Sequence, residues 1–284
     1  MSGRRLRGAY NHKQRLEMNG YLSPGQAMED YIMESTAFQE IAFNMKFKLQ
    51  IKDAIKGLLG DRWPLLPSMK IDNVYVYLDA LWHKRNVEGP VVEVGCGYGG
   101  TTLMACHFLS RIGCKKQYYC IDTFCGFVDD QLKTDHKLGL TVNHDRMFSS
   151  NSLKSFKRNL CKRGIFQNIH IIQGNICNID EICIPHNISV CLIDVDLHDP
   201  TYEGLKLISK HMSKNGIVLV DDCKEGTNWV GANAGYMDFI EEEKMQPKYY
   251  MGFGVVEFTA DAHTMIPWQY SISPKSIPRN YYGT

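Results

Sequence analysis

Residues 91–102, VVEVGCGYGGTT, constrain this chain more than any other stretch. A short apolar run carrying one acid, Glu93, leads into four glycines, and two threonines then open an apolar helix over 101–112. Gly95, Gly97 and Gly100 satisfy G-x-G-x-x-G between a strand and a helix. In that setting bare backbone lets a nucleotide-bearing ligand approach closely, because glycine has no Cβ and accepts positive φ.

From residue 89 onward the chain alternates. β-branched runs at 117–122, 168–174, 188–194 and 216–222 read as further strands, with helices near 152–164, 202–212 and 232–244. Continuous apolar strands between helices predict a parallel sheet covered on both faces. Residues 248–258, KYYMGFGVVEF, predict two short strands joined at 252–254, an antiparallel hairpin closing that sheet. Upstream, apolar residues at helical spacing over 27–59, and a second helix over 68–84, predict a helical extension. The expected division is 1–85, a loose arm (1–25) with a helical lid and acceptor-binding part, and 86–284, the α/β domain. The Pro-, Tyr- and Ser-rich tail 262–284 is expected to be irregular.

Composition excludes several classes. The net charge of +1 gives no field that would draw nucleic acid or a membrane surface. No apolar run nears the ~20 residues of a spanning helix, and the basic start has no apolar segment behind it, so a cytoplasmic location is expected. The ten cysteines form no C-x-x-C pair. Cys120, Cys183 and Cys191 sit in apolar runs and read as reduced, buried residues. Cys125 and Cys223 lie beside motifs and read the same way.

The glycine turn alone leaves two cofactors open. A nicotinamide dinucleotide would place its pyrophosphate at the helix N-terminus, while S-adenosylmethionine would place its amino-acid end against the same backbone. Glu93, at the strand end, can anchor the network around an ammonium group. Asp122, ending the second strand, can accept ribose hydroxyls from either cofactor. Residues 173–175 (Gln173, Gly174 and Asn175) follow the third strand, near where an adenine would lie. The closing hairpin is unlike a nicotinamide dehydrogenase and suits the sheet of S-adenosylmethionine-dependent methyltransferases.

Four more acids close later strands: Asp194 and Asp196 in LIDVDLHDPTYEG, Asp221 and Asp222 in IVLVDDC. Parallel strands end on one edge, where open α/β sheets collect ligands. Four carboxylates there repel one another unless a cation or protons intervene, and an oxygen-only donor set favours Mg²⁺ or another hard divalent ion. Such an ion binds vicinal hydroxyls, and a nearby carboxylate or His takes the proton. Asp199-Pro200 reads as a helix start. The stretch 129–149, with His136, His144, Asp145 and Arg146, reads as a mobile lid.

At these residues the chain resembles the macrocin O-methyltransferase (TylF/MycF-like) family, over about 73–258. The pieces are VVEVGCGYGGTT, IDTFCGF (121–127), IDVDLHDPTYEGL (193–205), NGIVLVDDC (215–223) and WVGANAGYMDF (229–239), with D-x-D followed by D-D the most specific. The resemblance implies a Rossmann-like class I methyltransferase sheet and O-methylation of sugar or other natural-product hydroxyls, using S-adenosylmethionine and Mg²⁺. It further implies a small-molecule acceptor with vicinal hydroxyls and a homodimer or higher homo-oligomer. By position it implies Asp194, Asp221 and Asp222 as metal ligands and Asp196 as general base. Glu93, Gly95, Gly97, Thr101, Asp122, Thr123, Gln173, Gly174, Asn175 and Asp194 would hold the cofactor. His198 stands where the family pattern has Tyr, and is a second candidate base. A catechol-type O-methyltransferase, a nicotinamide oxidoreductase and a non-catalytic nucleoside sensor are the rival readings.

Overall fold

The computed structural model describes residues 69–141, 148–162, 168–223, 229–259, 266, 268 and 270–272. The chain divides into two units, Met1–Pro64 and Leu65–Thr284, and all the described residues lie in the second. The expected arm and first helix, the tail beyond 272, and His144, Asp145 and Arg146 fall outside them.

A helix, α1 (Ile71–His83), precedes the sheet. Then follow β1 (Val91–Val94), α2 (Gly100–Arg111), β2 (Tyr118–Asp122), α3 (Asp129–Leu138), α4 (Leu153–Cys161) and β3 (Ile169–Gln173). The second half runs β4 (Ile188–Ile193), α5 (His198–Ser209), β5 (Met212–Val220), α6 (Val230–Glu242), β6 (Tyr249–Tyr250) and β7 (Phe253–Glu257). The strands form one seven-stranded sheet in the order β3-β2-β1-β4-β5-β7-β6. β1 to β5 are mutually parallel, and β7 runs antiparallel to both β5 and β6. The order reverses at β1, beside β4, which is the switch point where open α/β sheets bind ligands.

Burial follows position in the sheet. Every residue of central β1 and β4 is buried, whereas edge strand β3 keeps half-exposed residues. Val92, Val94, Ile121, Cys191, Ile193, Val218 and Val220 form one core with Leu205, Ile208 and Phe239 from the covering helices. Each such side chain contributes about 1.5–3 kcal/mol when fully buried. Tyr236 of α6 pins the closing hairpin: its hydroxyl accepts from the Lys248 amide at 2.9 Å and reaches the carbonyls of Lys248 and Val255.

Helices α5 and α6 approach closely because Gly231 and Gly235 lie one turn apart on α6. A Cβ at Gly235 would stand 2.5 Å from the His198 carbonyl, and one at Gly231 would stand 2.1 Å from Asp135 Oδ2.

Three expectations need correction. The 129–149 stretch, expected to be a mobile lid, is mostly helical in its described part: α3 is amphipathic, with Leu132 and Asp135 buried. Helix α5 begins at His198, before the Asp199-Pro200 pair, and ends at Ser209, so β5 starts at Met212. All ten cysteines are free, but Cys125 and Cys183 are exposed, not buried; 181–183 form a single 3₁₀ turn and not a strand.

Candidate active site at the carboxyl edge of the sheet

The glycine turn is built for close approach. Gly95 (φ 90°), Gly97 (φ 51°) and Gly99 (φ 88°) all sit in left-handed backbone. They serve different purposes. A Cβ on Gly95 would lie 1.9 Å from the Asp194 carbonyl oxygen, and one on Gly99 would meet the Phe156 ring at 2.9 Å. A Cβ on Gly97 would meet nothing within 4 Å. Gly95 and Gly99 are therefore bare so that β4 and α4 can press on the turn, and Gly97 faces open space.

Asp122 closes the turn from β2. Its Oδ2 accepts from the Gly97 amide at 2.8 Å and its Oδ1 from the Phe124 amide at 2.6 Å. Burial raises its pKa, against the pull of those amides. A carboxylate has about four lone-pair sites, so both oxygens retain capacity for a further donor. Thr123 turns back on itself, its hydroxyl donating to the Gly126 carbonyl at 2.7 Å. Gln173 Nε2 donates to the Thr123 carbonyl at 3.3 Å, and the Gly174 amide donates to the Asp122 carbonyl at 2.9 Å. Asn175 caps the 3₁₀ turn 176–178, accepting from the Cys177 amide, and also accepts from Gln131 Nε2 of α3 at 3.3 Å. Thr101 is buried in the first turn of α2.

Glu93 lies deeper than an open ammonium anchor would. It is 1% exposed, and its Oε2 accepts from Thr102 Oγ1 at 2.7 Å and from Tyr118 OH at 2.5 Å. Tyr77 OH on α1 meets Tyr118 OH at 2.9 Å. Burial pushes the Glu93 carboxyl up to about 7, against these donors. The residue ties β1, β2, α1 and α2 together beneath the turn. Glu93, Cys96 and Cys120 are the one set of three metal-type donors among the described residues with ligand atoms all within 4.8 Å. Hydrogen bonds from Thr102 and Tyr118 already occupy Glu93.

The late aspartates follow β4 and β5. Ile193 pairs with Val220, and Asp194 and Asp221 are the next residue on each strand. The Asp221 amide donates to the Ile193 carbonyl at 2.9 Å, and the Asp194 amide to the Val94 carbonyl at 2.8 Å. Asp196 (φ 64°) and Asp222 (φ 57°) both adopt left-handed backbone, which costs an L-residue energy and so marks a constrained loop. Burial holds the Asp194 carboxyl well above the usual range, with the charges of Asp221, Asp196, Asp222 and Glu93 adding to it. Asp196 is raised by burial, by Asp222 and Asp221, and by a carboxyl–carboxyl hydrogen bond to Asp222. Mutual repulsion in a desolvated pocket is the common cause.

His198 is placed differently from a free base. It is the first residue of α5, its Nδ1 is 2.8 Å from Asp199 Oδ1, and its Nε2 is 2.8 Å from Asp238 Oδ2 on α6. Burial opposes its charge, but the two carboxylates outweigh that and raise its pKa. Both ring nitrogens face carboxylates, which favours the protonated ring.

Two residues that the sequence reading passed over complete the site. Asn73 of α1, 2% exposed, donates from Nδ2 to Asp221 Oδ1. Asp135 of α3, fully buried, accepts the His198 amide on Oδ2 at 3.1 Å, and its Oδ1 has no hydrogen-bond partner. Asp135 thereby caps α5 from another element, since the N-cap residue Leu197 has no side-chain oxygen. Neither residue carries a local sequence signal; only tertiary contact reveals them.

A family model, the macrocin-O-methyltransferase (TylF) family, matches residues 26–247. The chain belongs to this family of O-methyltransferases. Among solved structures, the TylF-family fold seen here is similar to the O-methyltransferase NovP, with a TM-score of 0.56 and 18% identity over 66% of this chain and 78% of that one. It is also similar to CalS11, a calicheamicin methyltransferase, with a TM-score of 0.52 and 16% identity over 84% and 92% of the two chains. No curated protein sequence matches the chain. No helix among the described residues is long and apolar enough to cross a membrane.

Proposed function

We propose that this TylF-family chain transfers the methyl group of S-adenosylmethionine to a hydroxyl of a sugar or polyol-like small molecule, assisted by a hard divalent cation such as Mg²⁺. One observation carries the reading: the Asp194 carbonyl lies so close to Gly95 that a Cβ there would stand 1.9 Å from it, which brings the end of β4 onto the glycine turn. Family membership supports O-methylation, and the oxygen-only donor set supports a hard ion.

The turn offers a place for the cofactor, and the aspartates are the oxygen donors that an ion would have to draw together, since their ligand atoms do not all lie within 4.8 Å of one another. The unfilled Cβ position of Gly97 is a cradle for a cofactor backbone, with Asp122 and 173–175 around it. Asp194, Asp221 and Asp222 present carboxylates whose crowding an ion would relieve. When bound, S-adenosylmethionine supplies an electrophilic methyl, and the cation supplies Lewis acidity toward a vicinal diol. The chain's own task is alignment and proton removal. Asp196, held at the crevice by its left-handed backbone and by the Ala232 amide on its carbonyl at 3.0 Å, takes the acceptor's hydroxyl proton. His198 contributes by holding the start of α5 against α6, with its ring nitrogens facing Asp199 and Asp238.

The test is methyl transfer from labelled S-adenosylmethionine to a panel of sugar nucleotides, glycosides and catechols, with and without EDTA. Label appearing in sugar hydroxyls and lost on chelation is the expected result. Transfer that ignores EDTA overturns the metal role, and transfer confined to catechols overturns the acceptor class.

A further inference from the structure

We infer that Asn151 is a positioning residue for the cofactor: from the turn before α4 it fixes the Gly97–Tyr98 peptide in the orientation that presents the Tyr98 amide to S-adenosylmethionine. The inference rests on the proposed reading of the glycine turn as the cofactor site.

Gly97 is gripped on both of its backbone groups. Its amide donates to Asp122 Oδ2 at 2.8 Å, and its carbonyl accepts from Asn151 Nδ2 at 2.8 Å. Asn151 is 7% exposed, and its Oδ1 accepts from the Ser152 amide at 2.8 Å, so the side chain is held at both of its polar atoms. Asn159 of α4 repeats the contact one residue on, donating from Nδ2 to the Tyr98 carbonyl at 3.0 Å. The Tyr98 hydroxyl is hydrogen-bonded to Ser150. The segment that carries Asn151 is itself anchored. Phe148 (φ 61°) turns the chain, the Asn151 amide donates to the Phe148 carbonyl at 2.8 Å, and a Cβ on Gly126 would stand 3.1 Å from the Ser149 nitrogen. The loop that follows Asp122 and the loop that carries Asn151 therefore close on Gly97 together.

Peptide geometry gives the consequence. A trans peptide points its C=O and the following N–H in opposite directions. With the Gly97 carbonyl drawn to Asn151, the Tyr98 amide points away from Asn151. It becomes a donor next to Gly97, where a Cβ would meet nothing, suited to the carboxylate of the cofactor's amino-acid end. Glycine turns over easily between backbone conformations, so this peptide depends on side chains to keep it in place. Asp122 holds its near end and Asn151 its far end.

The test is calorimetric titration of S-adenosylhomocysteine into the full chain, with thermal melts, for wild type and two variants. Asn151→Asp keeps the acceptor for the Ser152 amide and removes the donor to Gly97. Its affinity is expected to fall about 3–10-fold, the worth of one lost hydrogen bond. Ser152→Ala removes the capping box of α4 and leaves the Asn151–Gly97 contact in place. Its melting temperature is expected to fall with affinity unchanged. Equal affinity in Asn151→Asp and wild type overturns the positioning role. An equal loss of affinity in both variants overturns it too, because the effect would then come from the stability of α4. Wild type that binds no S-adenosylhomocysteine overturns the cofactor reading and this inference with it. If Asn151→Asp does not fold, Asn151→Ala takes its place and is judged by the same comparison.

Discussion

Asp135 Oδ2 accepts the His198 amide at 3.1 Å, so a carboxylate from α3 caps a helix that begins just past Asp196. Burial pushes Asp135 up to about 6. The folded state therefore binds its proton more tightly than the unfolded chain does, and stability is lost as pH rises from the ordinary Asp range through about 6. Asp135→Asn keeps an oxygen for the amide and removes this titration. Thermal melts between pH 4 and 7.5 should show a steeper decline with pH in wild type than in the variant. Equal slopes would mean that Asp135 does not titrate in the folded state.

His198→Gln separates the two candidate bases. If Asp196 is the base, the variant keeps a pH–rate profile of the wild-type shape. Its cost is in stability: the carboxylate partners are more than a third exposed, so each pair is worth below about 1 kcal/mol. That contribution is present below the unfolded His pKa and fades as pH rises through the raised folded value. A profile that loses its acidic limb in His198→Gln would return the proton to the imidazole.

Asp196→Asn should cut turnover by about 10²–10⁴-fold, the usual worth of a general base. Affinity for S-adenosylhomocysteine should hold if Asp196 acts on the acceptor's proton and not on the cofactor. Loss of that affinity, read by calorimetry, would place Asp196 among the groups that shape the cofactor pocket.

Gly95→Ala and Gly97→Ala should part company. The first puts a methyl 1.9 Å from the Asp194 carbonyl at a φ of 90°, and overpacking with backbone strain should cost about 2–4 kcal/mol. The second adds a methyl to open space at a φ of 51°. It should cost only about 1–2 kcal/mol while weakening S-adenosylhomocysteine binding. Denaturant melts and calorimetry on both variants check this; equal loss of stability would contradict the division of labour in the turn.

The strands were legible because β1, β4 and β5 are buried on both faces, so their apolar runs are continuous and hard to mistake. The antiparallel β7 was legible from the short spacing of the Gly252–Gly254 turn. Site positions on strand ends followed from that frame, which is why Asp122, Asp194 and Asp221 lie on the same edge. Less legible were contacts made across elements. Asn73 and Asp135 look like ordinary helix polar residues in the sequence, and their roles come from what α1 and α3 touch. His198 drew attention because it sits among acids, but sequence could not show that two of them, Asp199 and Asp238, face both its nitrogens. Glu93 was read as anchoring the network around an ammonium group; which way it turns, inward onto Tyr118 and Thr102, was not legible.

The left-handed backbone at Asp196 and Asp222 has an evolutionary consequence. Aspartate, asparagine and glycine tolerate that conformation far better than other residues. Replacing either acid by glutamate preserves charge but not the curl of the loop, so the two positions have few neutral neighbours in sequence space. Diversification of acceptor choice in this lineage would then have to come from the surrounding walls, with the carboxylate pair as its fixed point.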